Sequence, residues 1–299
     1  MTIEILYGIK ENRKDVTEIC LKQLTYNDTI TIPQFDNRRA HIFSDHLYGI
    51  EKKIFIILDD VETEYDQSYI IEISINDFKI KTRPDKNIND KTKFIHDKLK
   101  IKYGSMADEL PEQKMVIRYL TGNEKVLEIG SNIGRNSLVI ASIVNNDTFV
   151  TLECDVNISK QLKENRDLNN YTFHIENSAL SKRKLIQRGW DTKPSDVLID
   201  GYVWIDTISL DELKSKYNIQ FDTLVLDCEG AFYYILLDMP EILDNINLVI
   251  MENDYHNISH KEYVDSVLKK YNFVNDYSEA GGWGCCYNNF FEVWKKSTF

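Results

Sequence analysis

From about residue 105 onward, short apolar runs of strand character alternate with segments whose apolar residues fall at helical spacing. "KVLEIG", "FVTLEC", "YTFHIEN", "DTLVLDC" and "LVIMEND" read as strands, while "RNSLVIASIV", "NISKQLKENRDL", "LDELKSKY", "AFYYILLDM" and "HKEYVDSVLKKY" read as helices. Repeated β-α-β units bury both faces of a sheet and connect with one hand, so this alternation predicts an α/β fold with a mostly parallel, doubly wound sheet. Two closing strands, "FVNDYS" and "FFEVWKK", have no helix between them. They bring the sheet to seven strands and predict a C-terminal antiparallel hairpin at one edge. Ahead of the alternation, "LPEQKMVIRYL" reads as a helix entered at Pro111, where the missing N–H is harmless.

Residues 1–85 have a different rhythm. "TIEILYGI", "DTITIP", "KKIFIILDD" and "SYIIEISI" are rich in β-branched and aromatic residues, and "DVTEICLKQL" carries helical spacing, predicting a small β-rich N-terminal domain with one helix. The charged segment "KTRPDKNINDKTK", residues 81–93, lacks apolar periodicity and is the expected linker. The predicted organisation is 1–85, a linker and lead-in at 86–104, and an α/β domain at 105–299.

A net charge of −12 disfavours general affinity for nucleic acid, which needs clustered Lys and Arg against phosphates. The short basic run Lys182, Arg183, Lys184 reads as solvated surface. Five cysteines, Cys20, Cys154, Cys228, Cys285 and Cys286, lack the CxxC spacing of a zinc or redox site and are expected as reduced thiols. With no signal-peptide pattern and no apolar run near ~20 residues, the expectation is a cytoplasmic protein without membrane attachment.

The alternation places polar residues at the carboxyl ends of strands, where open α/β sheets bind ligands. "LEIGSNIGRN" offers a turn with Gly130 and Gly134 that admits close backbone approach before a helix N-terminus, in G-x-x-x-G spacing and without the dinucleotide fingerprint. Glu153, about 20 residues on, ends the next strand where an acid can bind both ribose hydroxyls; capping of the following helix, by it or by Asp155, is the structural alternative. In "LVLDCEGAF", Asp227 and Glu229 either cap a helix or face a ligand. Glu252 ends the following strand, with His256 and His260 just beyond it. Asp227, Glu229, Glu252 and His256 are the candidate bases, and carboxylates at adjacent strand ends raise one another's pKa. An alternative makes Asp227, Glu229 and Glu252 an oxygen-ligand site for Mg2+ or Mn2+. His256 and His260 lack the glutamate of a zinc helix, and Asn257-Ile258-Ser259 reads as a capping turn. Trp283 and Tyr287, in the glycine-rich loop "EAGGWGCCYNNFF", either stack on a sugar face or form a hairpin connection.

Taken in order, "LEIGSNIGRNSLVIAS", "LECDVNISKQLKENRDLNN", "ENSALS", "WIDTISLDEL" and "LVLDCEGAF" resemble the FkbM-type S-adenosylmethionine-dependent methyltransferases over roughly residues 105–295. The resemblance implies a Rossmann-like class I methyltransferase domain. It implies cofactor contacts from Glu128, Gly130, Ser131, Asn132, Gly134, Glu153, Cys154, Asn177, Ser178, Ala179 and Asp227. Three positions depart from the family: Glu128 replaces a common aspartate, Arg135 an aromatic residue, and Cys154 a proline. The opening "ILYGIKENRKDVTEIC" resembles, loosely, N-terminal modules fused to glycan-processing enzymes of giant DNA viruses.

The function so implied is O-methylation of a hydroxyl on a sugar, nucleotide-sugar or glycan, with S-adenosyl-L-methionine as donor and a small-molecule sugar or glycan as partner. Two other readings remain: a degenerate scaffold whose N-terminal domain binds glycan or a partner, and a nucleic-acid 2′-O-methyltransferase, disfavoured by acidity. The N-terminal domain is also the expected surface for any homo-oligomer.

Overall fold

Isoleucine recurs on alternate residues through much of the first eighty positions, and such a period-two pattern buries one face of a sheet. A computed structural model describes residues 3–26, 28–84 and 86–297. By its internal contacts the chain divides into a first unit, residues 1–90 with 279–281 and 287–289, and a second comprising 91–278, 282–286 and 290–299. Asp85, where the sequence places the domain boundary, lies outside the described residues.

The first unit holds two four-stranded antiparallel sheets. One runs Asn12–Asp15, Ile3–Ile9, Lys53–Leu58, Val61–Tyr65; the other runs Thr25–Tyr26, Thr29–Ile32, Tyr69–Ser74, Ile80–Pro84. Ile5, Ile30, Ile54, Ile71 and Ile73 meet Cys20 of the helix Thr17–Gln23 in one core. A second helix, Asp36–Phe43, is absent from the sequence expectation of one. It buries Phe43 in that core and, beside it, a charge: Arg39 is fully buried and donates to the carbonyls of Pro33 (2.8 Å), Asp66 (3.0 Å) and Tyr69 (2.8 Å). Residues 81–93 also differ from the expected linker, because they complete the strand Ile80–Pro84 and enter the helix Lys86–His96.

In the second unit the apolar runs become the strands β1 (Val126–Ile129), β2 (Phe149–Leu152), β3 (His174–Glu176), β4 (Thr223–Leu226), β5 (Leu248–Glu252), β6 (Phe273–Glu279) and β7 (Phe291–Lys296). Their order is β3-β2-β1-β4-β5-β7-β6. The first five are mutually parallel, and β7 runs antiparallel to β5. The closing pair therefore occupies an edge, with β7 inserted inside it and β6 outermost. Intervening helices are α1 (Leu110–Tyr119, with Pro111 in its first turn), α2 (Arg135–Ala141), α3 (Val156–Leu168), α4 (Leu210–Tyr217), α5 (Ala231–Asp238) and α6 (Ile258–Lys270). All four residues of β1, β2 and β4 are buried, as expected where helices cover both faces. β7 is tied to α6 by buried charge: Lys261 lies 2.9 Å from Glu292, which also accepts from the Trp294 indole at 2.9 Å. Among the described residues, no helix is long and apolar enough to cross a membrane.

Between β3 and α4 the chain adds structure that the sequence reading did not resolve. Ala179–Leu180 pairs in parallel with Thr207–Ile208, and Leu185–Arg188 forms the centre of a three-stranded antiparallel sheet with Asp191–Pro194 and Val203–Ile205. α4 starts with a capping box: the Ser209 hydroxyl accepts from the Glu212 N–H, and Glu212 accepts from the Ser209 N–H at 2.8 Å. The Lys182–Lys184 run is partly paired, with Arg183 on Asp238 (2.5 Å) and Lys182 on Glu241 (3.2 Å).

Arg39 supplies the first prediction. Replacing it with leucine leaves three carbonyls without their donor, that of Pro33 in a buried bond and those of Asp66 and Tyr69 in part-buried ones, and each unmade buried bond costs about 1–3 kcal/mol. Chemical denaturation should show Arg39→Leu to lose at least about 3 kcal/mol; a loss below 1 kcal/mol would show that the second helix is held by other contacts.

Candidate functional site

The order of strands reverses between β1 and β4, which makes their carboxyl ends a topological switch point. Directly beyond β1 the chain turns at Gly130 with φ +83°, and a Cβ there would lie 1.7 Å from the carbonyl oxygen of Asp227. The two loops are also stitched to their strands, Asp227 N–H to Ile129 O at 3.1 Å and Gly130 N–H to Leu152 O at 3.1 Å. Glycine is required here by contact as well as by backbone angle.

Above this crossing opens a cavity of ≈ 350 Å3. Gly130, Asn132, Glu153, Cys154, Ser178 and Ala179 line one part of it, all of them expected cofactor contacts. Asp227, Glu229, Glu252 and Asp254 line another, with Glu109 and Glu112 from the entry to α1. The small sheet after β3 contributes Leu185, Gln187, Trp190 and Thr192, and Trp283 stands among the lining residues too. Seven carboxylates and, among the described residues, no lysine, arginine or histidine face this space.

Glu153 and Asp155 divide the two roles left open by the sequence. Asp155 caps α3, accepting from the N–H groups of Asn157 (2.7 Å) and Ile158 (3.0 Å). Glu153 instead turns into the cavity, each of its oxygens held by a backbone N–H: Asn132 at 2.9 Å and Asp155 at 2.8 Å. A carboxylate oxygen has lone pairs beyond one such bond, so Glu153 is fixed in place and still able to accept. Burial pushes its pKa up to about 7. The seam at "LVLDCEGAF" is resolved as well. The N-cap of α5 is Gly230, which has no side chain to cap it, so neither Asp227 nor Glu229 is a helix cap.

Several expected contacts act from behind the cavity. Glu128 is 1% exposed and accepts from the hydroxyls of Ser137 (2.5 Å) and Thr151 (2.6 Å); it braces β1 against α2 and β2 and does not line the cavity. Its burial raises the pKa to about 7. Ser131 donates to Leu152 O at 3.2 Å, Gly134 is the N-cap of α2, and Asn177 donates to Glu153 O at 2.7 Å. Arg135 is drawn away to Glu109 at 2.6 Å. Asn165, fully buried, donates to Ile133 O (2.9 Å) and accepts from Lys102 N–H (2.8 Å), pinning the turn from its far side. The Gln187 amide reaches the Cys154 sulfur at 3.4 Å, and burial holds that thiol up at about 12; all five cysteines are free.

Of the four candidate bases, Asp227, Glu229 and Glu252 face the cavity, with Glu229 exposed at φ +51°. His256 is exposed, packs its ring on Trp283 (centroids 4.6 Å apart) and does not line the cavity. His260 stacks on Tyr233 at 3.8 Å, and Asn257 caps α6 through the Ser259 N–H. Tyr287 is not a lining residue. The sequence reading missed Asp254, whose carboxylate comes together with those of Asp227 and Glu252, all within 4.8 Å of one another. Glu229 is outside that group, whereas the sequence expectation set it with Asp227 and Glu252 and left out Asp254. Burial, then the charges of Glu112, Glu109 and Asp254, hold Asp227 well above the usual carboxylate range; burial, then Asp227, Glu112 and Asp254, push Glu252 up to about 12, the latter also hydrogen-bonded to Glu112. Burial, then Glu229, raises Asp254 to about 7.

No family model matches the chain, and no curated protein does. Similar solved structures include a ribosomal protein L11 methylase from Lactobacillus delbrueckii subsp. bulgaricus, at 14% identity over 66% of this chain and 82% of that one, TM-score 0.40. A putative O-methyltransferase from Klebsiella pneumoniae has 14% identity over 72% and 92% of the two chains, TM-score 0.39. An O-methyltransferase from Bacillus cereus in complex with SAH has 10% identity over 71% and 90%, TM-score 0.37.

Glu128 gives the site a pH signature. Its pKa rises from 4.5 to about 7 on folding, so the stability of its protonated form is complete below about 4.5 and lost as pH rises through about 7. Glu128→Gln should remove that loss, worth about 3 kcal/mol at about 1.4 per unit. Unfolding free energies at pH 5 and 8 check it: a wild-type difference undiminished in the variant would show that Glu128 does not titrate in this range.

Proposed function

We propose that this chain is an S-adenosylmethionine-dependent O-methyltransferase acting on a hydroxyl of a sugar or glycan. The observation that carries the reading is Glu153: an acid at the end of β2, released from capping by Asp155 and locked by two backbone N–H groups beside the Gly130 turn. That is the position and chemistry of a ribose ligand at a switch point. Gly130 and Asn132 supply the close backbone surface for the amino-acid end of the cofactor, and Cys154, Ser178 and Ala179 the wall for its base.

The remaining cavity supports a polyhydroxylated acceptor. Trp190 and Trp283, 58% and 42% exposed, offer aromatic faces, and carboxylates accept from hydroxyls. Seven acids without a lining cation disfavour a phosphate-bearing acceptor, which weighs against nucleic acid and against nucleotide-sugars. In the proposed step the acceptor oxygen attacks the methyl carbon in line as the C–S bond breaks. Its electron pair stays on sulfur, which becomes the neutral thioether S-adenosylhomocysteine. The hydroxyl proton passes to the carboxylate group at the ends of β4 and β5. Orientation supplies most of the acceleration and the proton acceptor about 10²- to 10⁴-fold. The sulfonium, a cation, is favoured by the same carboxylates.

Calorimetry tests the cofactor half of the reading. S-adenosylhomocysteine should bind with one site per chain, and Glu153→Ala should weaken it roughly 10- to 100-fold through lost charged hydrogen bonds. No heat at millimolar ligand would defeat the proposal. Labelled methyl transfer to a panel of neutral sugars and glycans tests the acceptor half. There Asp227→Asn should keep cofactor affinity and lose about 10²-fold or more in kcat; equal turnover would remove Asp227 from the chemistry.

A further inference from the structure

We propose that Asp227, Glu252 and Asp254 form a site for one divalent cation of the oxygen-preferring class, Mg2+ or Mn2+. Three side chains from two adjacent strand ends bring carboxylate oxygens within 4.8 Å of one another, one buried and two half-buried, facing the cavity. The donor set is oxygen only, as a hard cation requires. Arg135 pairs with Glu109 at 2.6 Å, but no lysine, arginine or histidine lines the cavity beside Asp227, Glu252 and Asp254 among the described residues.

A second observation comes from behind the group. Asp227 and Glu252 also line a small void of ≈ 10 Å3, shared with Asn136 from the first turn of α2. Asn136 is only 8% exposed, and its Oδ1 has no hydrogen-bond partner. A buried amide oxygen without a partner, on a residue that lines the same void as two carboxyl groups, calls for a donor. A hydrated cation supplies one: Mg2+ keeps several of its waters, and the void has room for about one. Such a water would donate to Asn136 Oδ1 and to the rear of the two carboxylates, fixing them as ligands.

The ion would sit beside the acceptor space, where a metal-bound hydroxyl loses its proton more readily. That consequence rests on the methyltransferase reading, but the site itself does not, so metal binding is to be measured without cofactor or acceptor. The full chain, stripped with EDTA, is titrated with MnCl2 while free Mn2+ is followed by its paramagnetic resonance signal. One saturable ion per chain is expected, displaced by excess Mg2+ and not by KCl of equal ionic strength. Asp227→Asn and Asp254→Asn should each weaken it at least tenfold, and Asn136→Ala about tenfold, the usual effect of losing an outer partner. Glu229→Gln, which removes a neighbouring charge but no ligand, should weaken it clearly less than Asp254→Asn. Each variant is first checked by circular dichroism and thermal unfolding, and Asp254→Asn decides alone if Asp227→Asn does not fold. The proposal is overturned if wild type shows no saturable Mn2+ up to millimolar concentration, meaning a protonated acid cluster only. Unchanged affinity in Asp254→Asn, or a loss in Glu229→Gln as large as that in Asp254→Asn, overturns it too.

Discussion

The carbonyl oxygen of Asp227 occupies the space where a side chain on residue 130 would begin, 1.7 Å from the place of its Cβ. Everything in the candidate site follows from this close crossing of the loops after β1 and β4. It lets the turn at Gly130 lie flat against the strand ends, so that Asn132 can direct its N–H at Glu153 and the cavity can open above. It also fixes where Asp227 stands relative to β5, and so brings Asp227, Glu252 and Asp254 together. The supports are layered beneath it: Glu128 with Ser137 and Thr151, then Asn165 behind the turn. A binding surface of this kind gains its precision from buried partners that lock each side chain.

Acidity is the second organising fact. Burial raises the proton affinity of the carboxylates around the cavity, as Glu153, Asp254 and Glu252 each display, and repulsion by neighbouring lining acids adds to it at Asp254 and Glu252. Such a site gains most from a positively charged ligand. A sulfonium cofactor and a divalent ion both relieve the repulsion, and a phosphate group adds to it. One of these carboxylates, Glu109, already holds a cation, Arg135, at 2.6 Å.

How much of this was legible in the sequence depends on how locally each feature is encoded. The strands of the parallel sheet were readable because burial on both faces leaves continuous apolar runs, as in "TLVL" and "LVIM". Gly130 and Glu153 were readable from position alone. The segment 185–205 was not, since "LIQRGWDTKP" alternates only weakly and its strands are short; Gly189-Trp190 between two four-residue runs was the available hairpin signal. Helix Asp36–Phe43 was hidden because it is short and one of its two fully buried residues is the charged Arg39, the other being Phe43, and Lys86–His96 because it is mostly polar, with Phe94 exposed. Asp254 was missed for another reason. Spacing along a strand shows which residues share a face, but not which residue of the following loop folds back toward it.

The central claim is that the cavity at the switch point binds S-adenosylmethionine through Glu153. A crystal structure of the chain soaked with S-adenosylhomocysteine tests it most directly. Both ribose hydroxyls should lie within hydrogen-bond distance of the Glu153 carboxylate, the base against Cys154 and Ala179, and the sulfur on the side of Asp227. Ligand bound elsewhere, or a ribose that leaves Glu153 untouched, would contradict it.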